Sequence, residues 1–205
     1  MLIFIAVVSY FVGSIPFGYI AGRLAGVDIR KVGSGNVGAT NVVRTLGRRL
    51  GYPVFLLDFL KGVAAVEMSI LVFNHSSTQV SRELCAIVGG ACCVAGHLFP
   101  IWLGFKGGKG VAASGGVIFG LMPFVASIMA FVWIVVFETT RYVSLASVAA
   151  AIAMPIATGA MLHFGKLHAP VLFYFSLCLA AVVVVRHRSN FSRLASGAEQ
   201  RFQRK

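Results

Sequence analysis

The sequence predicts an all-α integral membrane protein whose helices cross the bilayer several times. Of its 205 residues, 58% are hydrophobic and only 12% are charged, whereas soluble domains are about 25% charged. The apolar residues form runs of about twenty, the length that a membrane-spanning helix needs. The alternating ten-residue strands of a membrane β-barrel are not visible. This composition excludes a disordered chain. The net charge of +12 lies between apolar runs, which argues against a simple nucleic-acid binder.

Six apolar runs are candidates for spanning helices. The fourth run is the longest, and Pro123 interrupts it near the middle. Proline removes a backbone donor and disfavours helix at the residue before it, so we expect two short helices here. The runs are Met1–Gly22, Pro53–Phe73, Leu84–Leu103, Val111–Phe137, Val143–Phe164 and Leu167–Val185.

The orientation follows from the positions of Lys and Arg, since cytoplasmic loops carry an excess of both. The segment after the first run and the tail from Arg186 hold six basic residues each. Both are therefore expected in the cytoplasm, which places the N-terminus outside and requires an odd number of crossings. Dividing the fourth run gives seven transmembrane helices and puts 15 of the 18 basic residues on the cytoplasmic side. We predict a single domain over residues 1–205, with a basic tail over residues 186–205.

A glycine-rich loop, residues 33–41, follows the first run and reads Gly-Ser-Gly-Asn-Val-Gly-Ala-Thr-Asn. Glycine permits backbone conformations closed to other residues, so successive amides can point inward as an anion nest. Hydroxyl and amide side chains add neutral donors, and a nearby arginine adds a guanidinium suited to phosphate. A flexible linker is the alternative. A nucleotide-binding Walker loop is excluded because the Gly-Lys-Ser/Thr ending is missing. The residues expected to bind an anion are Gly33, Ser34, Gly35, Asn36, Thr40, Asn41 and Arg44.

A second basic segment, residues 105–110, reads Phe-Lys-Gly-Gly-Lys-Gly and opens an apolar helix. Helix N-termini favour anions because free N–H groups and the helix dipole converge there. An orientation anchor would need the lysines but not the three glycines. We therefore predict that Lys106 and Lys109 bind an anion.

Two groups of ionisable residues lie inside apolar runs. His97 is in the third run, where an ionisable residue is a functional candidate by default. It could act as a base, as a hydrogen-bond donor or as a packed neutral side chain. Asp58 and Lys61 share a helix face in the second run because they are three residues apart. This pair could fix the helix, or Lys61 could reach a substrate anion.

Further basic residues lie at helix ends. Arg141, with hydroxyl residues on both sides, is a candidate anion clamp. Arg186 and His187 begin the tail, where such residues also serve as orientation anchors or contact lipid headgroups. The four cysteines lie in apolar runs and no histidine completes a zinc set, so no metal and no cofactor are expected.

Together these segments resemble the bacterial acyl-phosphate-dependent glycerol-3-phosphate acyltransferases, the PlsY family. The resemblance covers nearly the whole chain, and its motifs occur in order with matching separations. One departure is Ala113, where threonine is common in the family. The motifs are Gly33–Asn41 with Arg44, Asp58–Gly62, Gly96–Pro100 with Phe105–Val111, Thr140–Ser144 and Arg186–Arg188.

The resemblance implies an enzyme of the bacterial inner membrane whose site faces the cytoplasm. It would transfer a fatty acyl group from acyl phosphate to the 1-hydroxyl of sn-glycerol 3-phosphate. The products would be lysophosphatidic acid and inorganic phosphate, in the first acylation of phospholipid synthesis. The expected partners are these two substrates and membrane lipids, with no nucleic acid and no obligate protein partner. Acyl-CoA and acyl carrier protein are not expected as direct donors.

The resemblance also suggests roles for the residues. Ser34 and Asn36 would hold a phosphate at the reacting centre, and either His97 or a phosphate oxygen of the donor would take the hydroxyl proton. The other groups would bind substrate. They are Gly33, Gly35, Thr40, Asn41, Arg44, Lys61, Lys106, Lys109, Arg141, Arg186 and His187.

Two other classes of protein fit part of the pattern. A transporter or flippase for an anionic metabolite or lipid would also combine several helices, a broken helix and a basic site. Such a protein should show related halves or charges near the midplane of several helices, and the sequence shows no repeat. A non-catalytic lipid-binding scaffold would not explain the small polar residues around the glycines.

Overall fold

The computed structural model describes residues 1–202, and within them the chain forms helices and connecting segments without a strand. The all-helical class is therefore confirmed. The chain divides into two compact units, Met1–Leu121 and a second that begins at Met122. The single domain over residues 1–205 stays a prediction. Arg204 and Lys205, two basic residues of the predicted tail, lie outside the described residues.

The first unit is built around α4, which packs against α3, α5 and α6, while α1 packs against α5. Glycine allows these helices to approach closely, as is usual where helices pack in membranes. A Cβ on Gly13 of α1 would lie 2.0 Å from the carbonyl oxygen of Cys93 in α5. One on Gly116 of α6 would lie 1.9 Å from that of Phe59 in α4. The helices are α1 (Leu2–Ser14), α2 (Phe17–Leu24), α3 (Ala39–Leu46), α4 (Arg48–Asn74), α5 (Arg82–Leu98) and α6 (Val111–Leu121).

The second unit is an array in which α8 packs against both α7 and α9. The Trp133 indole of α7 donates a 3.2 Å hydrogen bond to the Ser147 hydroxyl of α8, which pairs the polar groups of two apolar helices. A short helix, α10, follows α9 at a bend of 49°. The helices are α7 (Pro123–Thr140), α8 (Val143–His163), α9 (Pro170–Arg186) and α10 (Arg188–Ala195).

Proline sets two of the helix breaks. The predicted break of the fourth run is confirmed, because α6 ends at Leu121 and α7 begins at Pro123. The first run also breaks, which the prediction of one helix over Met1–Gly22 did not anticipate. Ile15 is extended with ψ of 115°, the conformation that a following proline favours. The break places Ile15 and Pro16 in the lining of the candidate site, although Leu2–Leu24 still counts as one candidate span.

Within residues 1–202, four helical stretches are long and apolar enough to span a membrane, and a fifth does so if α9 and α10 form one bent span. The longest helix of the described part, α4, has 27 residues but carries Asp58, Lys61 and Glu67. Helix α6 has 11 residues. The seven crossings and the orientation of the termini stay predictions. The four clear stretches are Leu2–Leu24, Arg82–Leu103, Pro123–Thr140 and Val143–His163.

Candidate functional site

The glycine-rich loop is organised by a buried side chain, that of Asn41 in the first turn of α3. Its amide nitrogen lies within hydrogen-bond distance of three carbonyl oxygens, those of Ile29 at 3.2 Å, Val32 at 3.1 Å and Asn36 at 2.9 Å. Its carbonyl oxygen accepts from the backbone N–H of Ser34 at 2.9 Å. The side chain of Asn41 therefore positions the loop, and its direct contact with substrate stays a prediction.

Glycine is required where the loop closes on this side chain. Gly33 and Gly35 have φ of +59° and +70°, in the left-handed region that favours glycine. A Cβ on Gly33 would lie 2.3 Å from Oδ1 of Asn41. The Asn36 side chain accepts from the N–H of Gly38 at 2.8 Å, just before α3 begins. The Ser34 side chain is exposed, so the loop offers a hydroxyl on a fixed backbone.

A buried ionic cluster lies in the same unit. Lys61 Nζ is 2.7 Å from Oδ1 of Asp58, and both side chains are less than 5% exposed. The same ammonium donates to the carbonyl oxygen of Ile15 at 3.0 Å, in the break between α1 and α2. The Lys61 ammonium therefore has two partners, the Asp58 carboxylate and the Ile15 carbonyl oxygen. This geometry supports the structural alternative for the pair rather than a direct contact between Lys61 and a substrate anion.

His97 joins the cluster from the last turn of α5. Its Nδ1 is 3.4 Å from Oδ1 of Asp58, and the residue is 8% exposed. A Cβ on Gly108 would lie 2.3 Å from Nε2, so the imidazole is packed between the carboxylate and the second basic segment. The backbone oxygen of His97 accepts from Gly108 N at 3.2 Å, and that of Leu98 accepts from Gly107 N at 3.1 Å. Both bonds fix the segment that carries the two lysines.

The glycine-rich loop and the ionic cluster meet at one small cavity. Its lining includes Val37 of the loop, Asp58, Lys61 and His97 of the cluster, and Phe17 at the start of α2. Lys106 is exposed, and Lys109 and Arg44 are half-buried in the same unit. Cationic groups, the glycine-rich loop and an enclosed polar cluster therefore occur together in the first unit.

One basic residue after α2 is paired locally. The Arg30 guanidinium lies 2.8 Å from the Asp28 carboxylate, and the hydrogen bond between these side chains lowers the pKa of Asp28 to about 2. Arg30 also lies over the Tyr19 ring, 4.7 Å from its centre. The charge of Arg30 therefore contributes little to an anion site.

In the second unit, Arg141 ends α7 with a left-handed backbone, φ 63°. Its guanidinium forms an ion pair with Glu138 and lies over the Phe137 ring. The predicted anion clamp is therefore partly neutralised by its own helix. Arg186 is half-buried at the end of α9, and His187 is buried with Nδ1 2.8 Å from the carbonyl oxygen of Val183.

A second polar cluster, not anticipated from the sequence, lies beside His187. The Glu199 carboxylate accepts from Nδ2 of Asn190 at 2.6 Å and from Nε of Arg193 at 2.8 Å. Burial opposes ionisation of this carboxyl, but the hydrogen bonds from Arg193 and Asn190 outweigh it and lower its pKa. The sequence signal that could have indicated this cluster is Glu199, the single acidic residue in a tail with six basic residues.

In the described part of the chain, the cysteine, histidine and carboxylate side chains do not gather into a metal centre. Within residues 1–202, no three His, Cys, Asp or Glu side chains are placed to hold a metal ion. The ionic contacts described above are therefore ion pairs between side chains and do not form a set of metal ligands.

Comparison with known proteins gives matches over nearly the full length. A family model described as glycerol-3-phosphate acyltransferase matches residues 3–197. A glycerol-3-phosphate acyltransferase of Aquifex aeolicus is 42% identical, with 98% of each chain covered. One of Mesorhizobium japonicum is 45% identical over 97% of this chain and 94% of its own.

Two solved structures of an integral membrane glycerol 3-phosphate acyltransferase, PlsY, are also similar. Its glycerol 3-phosphate form has a TM-score of 0.86 and 41% identity, covering 98% of this chain and 96% of that chain. Its lysophosphatidic acid form has a TM-score of 0.84 and 39% identity, covering 98% of this chain and 95% of that chain.

Proposed function

The chain belongs to the glycerol-3-phosphate acyltransferase family, and we propose that its acyl donor is acyl phosphate. The reaction transfers a fatty acyl group to the 1-hydroxyl of sn-glycerol 3-phosphate and gives lysophosphatidic acid and inorganic phosphate. Members of the family include an integral membrane protein with a glycerol 3-phosphate form and a lysophosphatidic acid form, which supports this acceptor and this product.

The observation that carries the proposal is the glycine-rich loop held by Asn41. Four hydrogen-bonding contacts of this side chain fix the loop in a conformation with two left-handed glycines. A rigid loop of this kind can present N–H groups and the Ser34 hydroxyl to a phosphate without the entropic cost of ordering a flexible segment. We propose that the loop binds the phosphate of the donor, with Ser34, Asn36 and Thr40 as neutral partners.

The acceptor needs cationic partners, since glycerol 3-phosphate brings a second phosphate. Lys106, Lys109 and Arg44 supply them on the first unit. The segment with the two lysines is tied through Gly107 and Gly108 to the end of α5. Because positioning of reactants can supply about 7–11 kcal/mol of barrier lowering, the rigid attachment of this segment matters as much as its charge. In the second unit, Arg141, Arg186 and His187 stay predicted substrate contacts.

The reaction forms one ester bond and breaks one mixed-anhydride bond. The 1-hydroxyl oxygen attacks the acyl carbonyl carbon, the carbonyl becomes a tetrahedral oxyanion, and phosphate leaves with the electron pair of the broken C–O bond. N–H donors at the loop stabilise the developing negative charge. We propose that a phosphate oxygen of the donor takes the hydroxyl proton. Phosphate is a good leaving group, so a strong protein base is not required.

His97 is then a positioning residue and not the base. Its Nδ1 faces Asp58, its Nε2 packs against Gly108, and the residue is nearly inaccessible. A base must come within about 2.6–3.2 Å of the proton that it removes, and this packing leaves the imidazole poorly placed to do so. The cluster instead holds the lysine segment against the end of α5.

We further propose that the site faces the cytoplasm of a bacterial inner membrane. The positive-inside rule supports this orientation, and the apolar helices supply a surface for the acyl chain between the bilayer and the site. No cofactor is needed for this chemistry, because the donor is already activated.

The test uses the purified full-length protein in detergent with acyl phosphate and labelled glycerol 3-phosphate. Lysophosphatidic acid should form without CoA or carrier protein. Lys109→Ala and Arg44→Ala should raise the KM for glycerol 3-phosphate, while Arg82→Ala, at the start of α5, should leave it unchanged. Product from acyl-CoA but not from acyl phosphate would contradict the proposed donor. Loss of activity in EDTA that one divalent ion restores would contradict metal-independent chemistry.

A further inference from the structure

The connection between α5 and α6 exposes large apolar side chains. We call residues 99–105 the apolar connection, which contains one turn of 3₁₀ helix over Ile101–Leu103. Trp102 is 62% exposed and Phe105 is 57% exposed. An exposed apolar patch of this kind is typical of a surface that contacts a membrane or another protein. The other exposed apolar residues of the connection are Phe99 and Ile101.

The apolar connection continues the exposed face of α1. Phe4, Val7 and Phe11 are exposed and lie on one face of α1, because they are three and four residues apart. The Phe11 ring contacts the Trp102 ring, with 6.2 Å between the ring centres. Helix α1 belongs to the stretch Leu2–Leu24, which is long and apolar enough to span a membrane. The surrounding that covers this face of α1 therefore also covers Trp102.

The backbone of the apolar connection is paired within the protein, as an apolar surrounding requires. The N–H groups of Phe99 and of each residue from 103 to 108 donate to carbonyl oxygens of the same segment or of α5. The carbonyl oxygen of Phe99 accepts from the Tyr10 hydroxyl of α1 at 2.8 Å. Non-helical backbone is tolerated at membrane depth only where its polar groups are satisfied. Water could satisfy these groups on a hydrated loop, so the internal pairing favours an apolar surrounding.

The backbone of Phe105 also favours an apolar surrounding for its ring. Its φ of 62° lies in the left-handed region, which is uncommon for a bulky side chain and costs free energy. Contacts within the protein reach less than half of this residue, so they offset only part of that cost. The segment itself is held in place by Leu103, which is buried in the core of the first unit with Ile29, Val37 and Val54.

We propose that the apolar connection is embedded in the bilayer, with phospholipid acyl chains covering Trp102 and Phe105. Lys106, the next residue, is exposed, and its long side chain can reach the lipid phosphates while the two rings stay in the apolar phase. A second copy packed here by two-fold symmetry would bring two such lysines close together, so charge favours the lipid. The connection thereby fixes the level of the lysine segment relative to the bilayer surface.

The test uses tryptophan fluorescence of the full-length protein, without substrate, in vesicles of phosphatidylcholine and phosphatidylglycerol. The lipids carry bromine on their acyl chains or none, and bromine quenches a tryptophan that it contacts. The chain has two tryptophans, so Trp133→Phe leaves Trp102 as the reporter. Trp102 should lose most of its emission in the brominated vesicles and should resist iodide added to the water.

The position of Phe105 is tested in the same vesicles. The variant that combines Phe105→Trp with Trp102→Phe and Trp133→Phe has its one tryptophan at position 105, and the exchange keeps a large aromatic side chain there. Its emission should also be lost in the brominated vesicles and should resist iodide. Quenching by iodide instead of bromine would place this ring in water and overturn the inference.

Trp102→Phe is the matched control, because it leaves Trp133 of α7 as the reporter. The Trp133 indole donates to Ser147 and stacks on the Phe137 ring at 4.8 Å between centres, and it is less exposed than Trp102. It should resist iodide and lose less emission to bromine than Trp102 does. If Trp133→Phe does not fold, the difference in emission between wild type and Trp102→Phe isolates Trp102.

Three results for Trp102 would overturn the inference. Quenching by iodide without quenching by bromine would place the connection in water. Resistance to both quenchers would mean that a second copy or another protein covers it. A loss of bromine quenching on addition of acyl phosphate would assign the surface to the acyl chain of the donor. Because the fluorescence is read without substrate, a protein that makes no lysophosphatidic acid from acyl phosphate would overturn the proposed donor and leave the lipid contact standing.

Discussion

The Lys61 ammonium lies 2.7 Å from the Asp58 carboxylate on one face of α4, with both side chains almost fully buried. The lysine also donates to the carbonyl oxygen of Ile15, where Pro16 has broken the first apolar run. A buried carbonyl left without a partner by a helix break is costly in an apolar environment. The pair therefore couples the helix break to the core of the first unit and brings the lysine to the edge of the cavity without leaving an isolated charge.

Removal of one partner should destabilise the protein far more than removal of both. Asp58→Asn leaves the Lys61 charge buried and should cost about 3–5 kcal/mol in the free energy of unfolding. The combined Asp58→Asn and Lys61→Met variant has no unpaired charge and should be more stable than Asp58→Asn alone. Thermal unfolding in detergent ranks the stabilities of wild type, Asp58→Asn and the double variant. A double variant less stable than Asp58→Asn would show that the pair is not the main interaction.

Gly108→Ala should reduce turnover without unfolding the protein. The added Cβ would lie 2.3 Å from Nε2 of His97, so the imidazole or the lysine segment must move. Since a displacement of about 1 Å can cost about a hundredfold in rate, kcat/KM should fall by at least tenfold. Gly115→Ala in α6 is the control, because its nearest neighbour would be an ordinary 3.7 Å contact. Wild-type kinetics for Gly108→Ala would mean that His97 does not position this segment.

The substitution Asn41→Asp preserves the shape of the side chain but should disrupt the glycine-rich loop. The exchange replaces an amide donor by a carboxylate oxygen that faces the carbonyl groups of Ile29, Val32 and Asn36. Loss of buried hydrogen bonds of this kind costs about 1–3 kcal/mol. Both stability and the affinity for acyl phosphate should fall. Asn74→Asp, at the exposed end of α4, gives the same chemical change and should leave both unaltered. A wild-type KM and kcat for acyl phosphate in Asn41→Asp would show that the glycine-rich loop does not bind the donor.

The parts of the structure that the sequence could predict are those set by local chemistry. The break before Pro123 follows from the backbone of one residue and its neighbour. The pairing of Asp58 with Lys61 follows from helix periodicity. The role of Asn41 could not be predicted, because its partners come from four positions between residues 29 and 36. The break at Pro16 was missed because hydropathy alone made the first run look continuous. Glu199 was missed because its partners depend on a chain reversal at Gly197.

The stability contributed by Glu199 should depend on pH. Burial tends to raise its pKa, but the Arg193 and Asn190 hydrogen bonds outweigh that effect and lower the pKa from the ordinary 4.5. A carboxyl whose pKa is depressed in the folded protein stabilises that protein at pH values above the unfolded pKa. The contribution is lost as pH falls through the folded pKa, because folding then no longer favours the ionised form. Wild type should therefore exceed Glu199→Gln in stability above about pH 4.5 and approach it below.

The measurement compares the thermal midpoints of wild type and Glu199→Gln in the same detergent, from pH 7 down to the acid limit of solubility. A lower limit of about pH 3 is sufficient, because it lies below the pKa of the carboxyl in the unfolded protein. The difference between the two proteins isolates this carboxyl, because Asp28, whose pKa is also lowered, is present in both. The control Glu83→Gln removes a carboxylate in the first turn of α5 and should match wild type at every pH. A difference that stayed constant on acidification would mean that Glu199 contributes through its shape and neutral hydrogen bonds. The charge of the Glu199 carboxylate would then have no part in stability.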